Sequence, residues 1–216
     1  MKHDRQPMAK LAAEVAPACD AWSLRTVDQQ EEEIRVRQDI CEPVGRGQDR
    51  GLMISVSDRG GTAFVATHRH DRDSLREAFR RARDLARSAA TAMPAADRAA
   101  DPQAAARPAR IRRDGPQGEP LPSTLAERIE LVTEACRSLA VDDRIRDRRA
   151  TVAFTTLAQG YVDSDGAEVE QHFRYTVPNL SAVASHGGIT QVRTLAGQYN
   201  GYCRQGGLEL LAASGF

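Results

Sequence analysis

Two runs of alternating side chains, Leu52–Ser57 and Thr62–Thr67, lie on either side of Asp58-Arg59-Gly60-Gly61. Glycine adopts positive φ without a Cβ penalty, and tight hairpin turns need that conformation, so the segment predicts an antiparallel hairpin. An isolated hairpin is marginal in water and must bury one face against further strands or helices. The flanking sequence supplies them. Trp22, Leu24 and Thr26 alternate with Ser23, Arg25 and Val27, and Ile34 and Val36 alternate with Arg35 and Arg37, which predicts two half-buried strands. Pro7 and the spacing of Met8, Leu11, Ala12 and Val15 predict a short helix ahead of them. Beyond the hairpin, Leu75, Ala78, Phe79, Ala82, Leu85, Ala86 and Ala89 form one helical stripe, with Ser74 and Glu77 as its capping box.

From Thr91 to Pro122 the chain turns to alanine, proline and scattered charge, with six of its ten prolines. Such a segment cannot bury enough apolar surface to fix one conformation, so residues 91–122 are expected to be a flexible linker between two pseudo-similar halves, 1–90 and 123–216. In the second half Thr124 and Glu127 cap a helix whose Ile129, Val132, Cys136 and Leu139 share one side. Thr151–Leu157 is rich in β-branched and aromatic residues, and Tyr161-Val162 leads through Asp163-Ser164-Asp165-Gly166 into the alternation of Val169–Val177, a long hairpin. Ala182–Ser185 and Ile189–Tyr199 add strands around Gly187-Gly188. Gly45-Arg46-Gly47 and Gly206-Gly207 are too short for a phosphate cradle and are read as turns. The residues up to Ala213 look like the start of a helix with little to bury it, so the chain is expected to continue past Phe216. The sum is an α+β fold with a largely antiparallel sheet.

Composition excludes several function classes. Thirty basic and thirty acidic residues leave no net charge, so no global field gathers nucleic acid or anionic lipid. The arginines at 76, 80, 81, 83 and 87 are interrupted by Glu77 and Asp84 and have no interleaved aromatics, the pattern of a solvated helix face. No stretch approaches the roughly 20 apolar residues of a membrane span, and Met1 to Lys10 shows no signal-peptide pattern. Four widely spaced cysteines do not make a disulfide framework, so the cytoplasm is the expected location.

Several local strings, in this order, resemble the TldD/PmbA family, once called modulators of DNA gyrase. They are Glu33-Ile34-Arg35-Val36, the run Asp49 to Val56, the run Gly61 to Thr67 followed by Asp73 to Ala78, and Val162-Asp163-Ser164-Asp165-Gly166, with Asp163 where the family usually has asparagine. The resemblance extends from about Asp20 to the end and covers only the amino-terminal domain of the family pattern. It implies a curved sheet with helices on one face. It also implies a metallopeptidase whose catalytic domain lies outside this chain, a second TldD/PmbA-type subunit as partner, and an extended peptide as substrate. The alternative is a stand-alone binding or regulatory module that pairs with a full-length relative.

Peptidases of this kind resemble other zinc enzymes in using a His-Glu-x-x-x-His helix, with two histidines on the metal and the glutamate as general base. His3, His68, His70, His172 and His186 are followed by Asp, Arg, Asp, Phe and Gly, so none begins the motif and no catalytic or metal-binding residue carries over. Zinc is expected in the full-length relatives and no cofactor in this chain. His68 and His70 would share a strand face and could form half a metal site, although an exposed loop beside Asp71 and Asp73 explains them as well. His172 reads as a strand residue and His186 as a turn residue. Cys41 and Cys203 have no histidine nearby in sequence to serve as base, and Cys136 reads as core. Arg46, Arg50 and Arg193 are candidates for binding peptide carboxylates, with surface solvation as the competing reading.

Overall fold

The computed structural model describes residues 6–92, 110–122, 124–196 and 202–216. Four helices and nine strands are found there: α1 (Gln6–Val15), β1 (Ala21–Arg37), β2 (Ile40–Cys41), β3 (Gly45–Asp58), β4 (Gly61–Thr67), α2 (Arg72–Ala92), β5 (Arg110–Asp114), α3 (Leu125–Ser138), β6 (Ile145–Asp163), β7 (Glu168–His186), β8 (Ile189–Leu195), β9 (Arg204–Gln205) and α4 (Glu209–Ala213). The strands pair in the order β4-β3-β1-β6-β7-β5, with β2 on β1 and both β8 and β9 on β7. The α+β class and the antiparallel sheet are as expected.

The chain forms two compact units, each built from three segments. One comprises residues 1–28, 49–113 and 158–171, the other 29–48, 114–157 and 172–216. The long strands β1, β3, β6 and β7 contribute to both, so the units interleave along the chain. Most of the expected linker, residues 93–109, lies outside the described residues, while Arg110–Asp114 within it forms β5.

In the first unit, Leu24 of β1 and Leu52, Ile54 and Val56 of β3 meet Ala12 and Val15 of α1 and Leu75, Ala78, Phe79 and Ala82 of α2. Phe79 is fully buried, which stabilises by about 2–3 kcal/mol against leaving it in water. Trp22 stands edge-on to it, with ring centroids 5.5 Å apart. The β3–β4 hairpin closes as predicted, with Asp58 opposite Gly61 and positive φ at Arg59 (57°) and Gly60 (82°). Two expectations for α2 are corrected. The helix starts at Arg72 and not after Ser74, because the Asp71 carboxylate accepts the Ser74 N–H at 2.9 Å and takes the capping role. Leu85 is 45% exposed and leaves the buried stripe, which runs through Ala82, Ala86 and Ala90.

In the second unit, Ile34 and Val36 of β1, Ala150, Val152 and Phe154 of β6 and Leu180 of β7 pack on Val132, Ala135 and Cys136 of α3 and Leu211 of α4. The capping box at Thr124 and Glu127 is present in both directions. Gly187 and Gly188 turn β7 into β8 with φ of 58° and 81°. A further turn, unmarked by glycine, joins β1 to β2 through Gln38 (φ 50°) and Asp39 (φ 63°). It is held by the ion pair between Asp39 and Arg148 and by the Gln38 N–H on the Arg148 carbonyl at 3.0 Å.

β1 corrects the expectation of two strands, since residues 28–33 continue the extended chain. The carboxylates of Asp28 and Glu32 are taken up by arginines. Arg50 lies 3.6 Å from Asp28 in the first unit, and Arg46 and Arg128 approach Glu32 to 2.8 and 2.6 Å in the second. Gly45-Arg46-Gly47 is likewise strand and not turn, being the start of β3. The carboxy-terminal helix is five residues long and buries Leu211, with Leu208 and Phe216 packed on the same core.

Candidate functional site: a groove in the first unit

The first unit contains a groove of about 1030 Å³. It is lined by Arg25–Val27 of β1, Asp49–Met53 of β3, Ala66 to His68 at the end of β4, Gln159–Tyr161 of β6, and Val169 and Gln171 of β7. Strand register explains the convergence. Leu52 pairs with Thr67 and Met53 with Ala66, so β3 and the end of β4 arrive side by side. Successive side chains alternate between faces. Leu52, Ile54 and Val56 therefore face the helices, while Met53 (39% exposed) stands on the other face beside Ala66.

The lining mixes apolar surface (Val27, Met53, Ala66, Val169) with polar groups (Gln159, Gln171, Arg25, Arg50, Asp49, His68). Apolar area with a few convergent hydrogen-bonding groups is the common chemistry of a ligand site. Arg25 places its guanidinium carbon 5.7 Å from the centroid of the Tyr161 ring. The Tyr161 hydroxyl donates to Asp163 Oδ2 at 3.1 Å, and Asp163 Oδ1 accepts the N–H groups of Asp165 and Ala167 at 3.0 and 2.9 Å. The acidic turn seen in the sequence thus fixes a groove residue. Thr26 Oγ1 and His70 Nε2 are buried without a hydrogen-bond partner among the described residues. Burial pushes the His70 imidazole below its usual range, with Arg50 and His68 adding to the shift and Asp28 opposing it.

Of the residues singled out from sequence, Arg50 and His68 line the groove. His70 lies two residues beyond His68 and close enough to Arg50, Asp28 and His68 to feel their charges. Arg46 belongs to the second unit on Glu32, and Arg193 sits on the exposed β8, bonded to Gln191 at 3.1 Å. His172 lies in β7, where its carbonyl accepts the Gly115 N–H at 2.7 Å, and His186 is exposed at the end of β7. Cys136 is core, Cys41 half-buried and Cys203 exposed, while His3 lies outside the described residues. Arg25, Gln159, Tyr161 and Gln171 escaped notice because only the fold brings β1, β6 and β7 together. A zinc ion of the kind the resemblance implies needs three or four converging ligands. Among the described residues no group of three or more His, Cys, Asp or Glu could hold a metal, so these residues do not fit it.

Residues 22–86 match the family model described as PmbA/TldA metallopeptidase domain 1. This span includes β3, β4 and most of α2. A structure of a candidate modulator of DNA gyrase from Bacteroides thetaiotaomicron is similar at 18% identity with a TM-score of 0.69, covering 90% of this chain and 45% of that one. One from Thermotoga maritima, described in the same terms, is 12% identical with a TM-score of 0.56, covering 81% and 38%. TldE from Thermococcus kodakarensis is 11% identical with a TM-score of 0.53, covering 88% and 42%. At these identities the structures share the fold, and this chain spans less than half the length of each. No curated protein matches the sequence.

Proposed function

We propose that this chain, which carries a TldD/PmbA-type first domain, contributes a substrate groove and an assembly surface to a peptidase whose metal chemistry resides elsewhere. The observation that carries the reading is the groove, whose lining from β1, β3 and the end of β4 lies inside the span that matches the family model. An extended peptide suits such a site, because its backbone offers a hydrogen-bonding group at each residue whatever its sequence. Gln171 offers a donor and an acceptor to that backbone. Met53, Val27 and Val169 offer apolar contact to alternate side chains. The chain's own part is to bind and orient. The proposed partner is a second TldD/PmbA-type subunit, for which the likeness to TldE is the support.

The test is hydrogen exchange on the 216-residue chain with and without a permanently unfolded polypeptide, reduced and carboxymethylated α-lactalbumin. Slower exchange at Arg25–Val27 and Gly51–Met53 is expected. Unchanged exchange there at saturating polypeptide would overturn the reading.

A further inference from the structure

The two arginines of the groove are held differently. Arg50 faces Asp28 at 3.6 Å, and the Asp28 side chain is only 14% exposed, so its charge is answered from within the fold. Arg25 is exposed, and among the described residues its interaction is with the face of Tyr161, not with a carboxylate. A guanidinium stacked on an aromatic ring keeps its in-plane N–H donors available for a bidentate anion. Tyr161 is itself tied to Asp163, which is tied in turn to the backbone of its own turn, so the platform under Arg25 is built in advance. Asp49, also in the lining, opposes an anion at its own position on β3 and so favours placement toward β1.

Resting on the reading of the groove as a peptide site, we infer that Arg25, seated on Tyr161, is a carboxylate-binding position. The segment taken by the groove therefore presents an acidic side chain or a free C-terminus there. Charge-assisted bidentate contacts give affinity as well as direction, because a peptide anchored by one carboxylate has a fixed register along the strands.

Calorimetric titration of the chain with three short unlabelled peptides of otherwise identical sequence tests this: one with Glu and an amidated end, one with Gln and an amidated end, and one with Gln and a free carboxylate. One of the acidic peptides should bind about tenfold more tightly than the Gln amide, and which one it is identifies the source of the carboxylate. The preference should vanish in Arg25→Gln and should survive in part in Arg25→Lys, which keeps the charge without the fork. Equal binding of all three peptides would overturn the carboxylate position while leaving the groove reading intact, as would an acid preference that persists in Arg25→Gln for the role of Arg25. Failure of all three to bind would overturn the groove reading and this inference with it.

Discussion

Asp58, the last residue of β3, and Arg87 of α2 form an ion pair in which the Asp58 side chain is 7% exposed and the Arg87 side chain 38%. The asymmetry predicts unequal mutant costs. Arg87→Ala strands a nearly buried carboxylate and should lose about 2–3 kcal/mol, whereas in Asp58→Ala the arginine reaches water and about 1 kcal/mol is lost. Urea unfolding of the two single variants and the double variant checks this, and the double should be more stable than Arg87→Ala.

Gly61, opposite Asp58 in the hairpin, lies where α2 crosses β4. A Cβ there would stand 2.6 Å from the Ala90 nitrogen and 2.9 Å from the Ala90 Cβ. Backbone cannot give way as a side-chain tip does. Gly61→Ala should therefore destabilise by about 1–3 kcal/mol or more through overpacking. Trp22 is the chain's only tryptophan and packs on Phe79 of α2, so its emission reports the loss directly.

His70 gives the first unit a pH dependence of defined sign. Its folded-state value is lowered from 6.5, first by burial and then by Arg50 and His68, with Asp28 opposing. The unfolded chain thus binds the proton more readily. The contribution of His70 to stability is complete above about pH 6.5 and is lost as pH falls below it toward the lowered folded value. Urea midpoints followed by Trp22 emission should decline through this window in the native sequence, and His70→Gln should flatten that decline. A further loss on stronger acidification is expected in the second unit from Glu32, which the Arg128 hydrogen bond holds below 4.5.

Much of the fold was legible where one residue carries a unique conformational duty. Gly60 and the Gly187-Gly188 pair announced their hairpins through positive φ, and Thr124 with Glu127 announced a helix start. The β1–β2 turn was not legible, because Gln38 and Asp39 hold positive φ with the help of Arg146 and Arg148, more than a hundred positions away. The polar run 28–33 hid the continuity of β1 for a similar reason, since Asp28 and Glu32 find their arginine partners only in the folded chain. The groove divides in the same way. His68 and Arg50 were visible by residue type, while Arg25 looked like any outward-facing strand residue until β6 placed Tyr161 beside it.

The most direct test of peptide binding in the groove uses the four methionines as probes. Met53 lines the groove, whereas Met8 packs against the core on α1. With methyl-13C-methionine in the full chain, titration with a short extended peptide should move the Met53 resonance in a saturable manner and leave Met8 nearly in place. A Met53 resonance that stays fixed while calorimetry shows the peptide bound would contradict the account, because the bound peptide would then lie elsewhere on the protein.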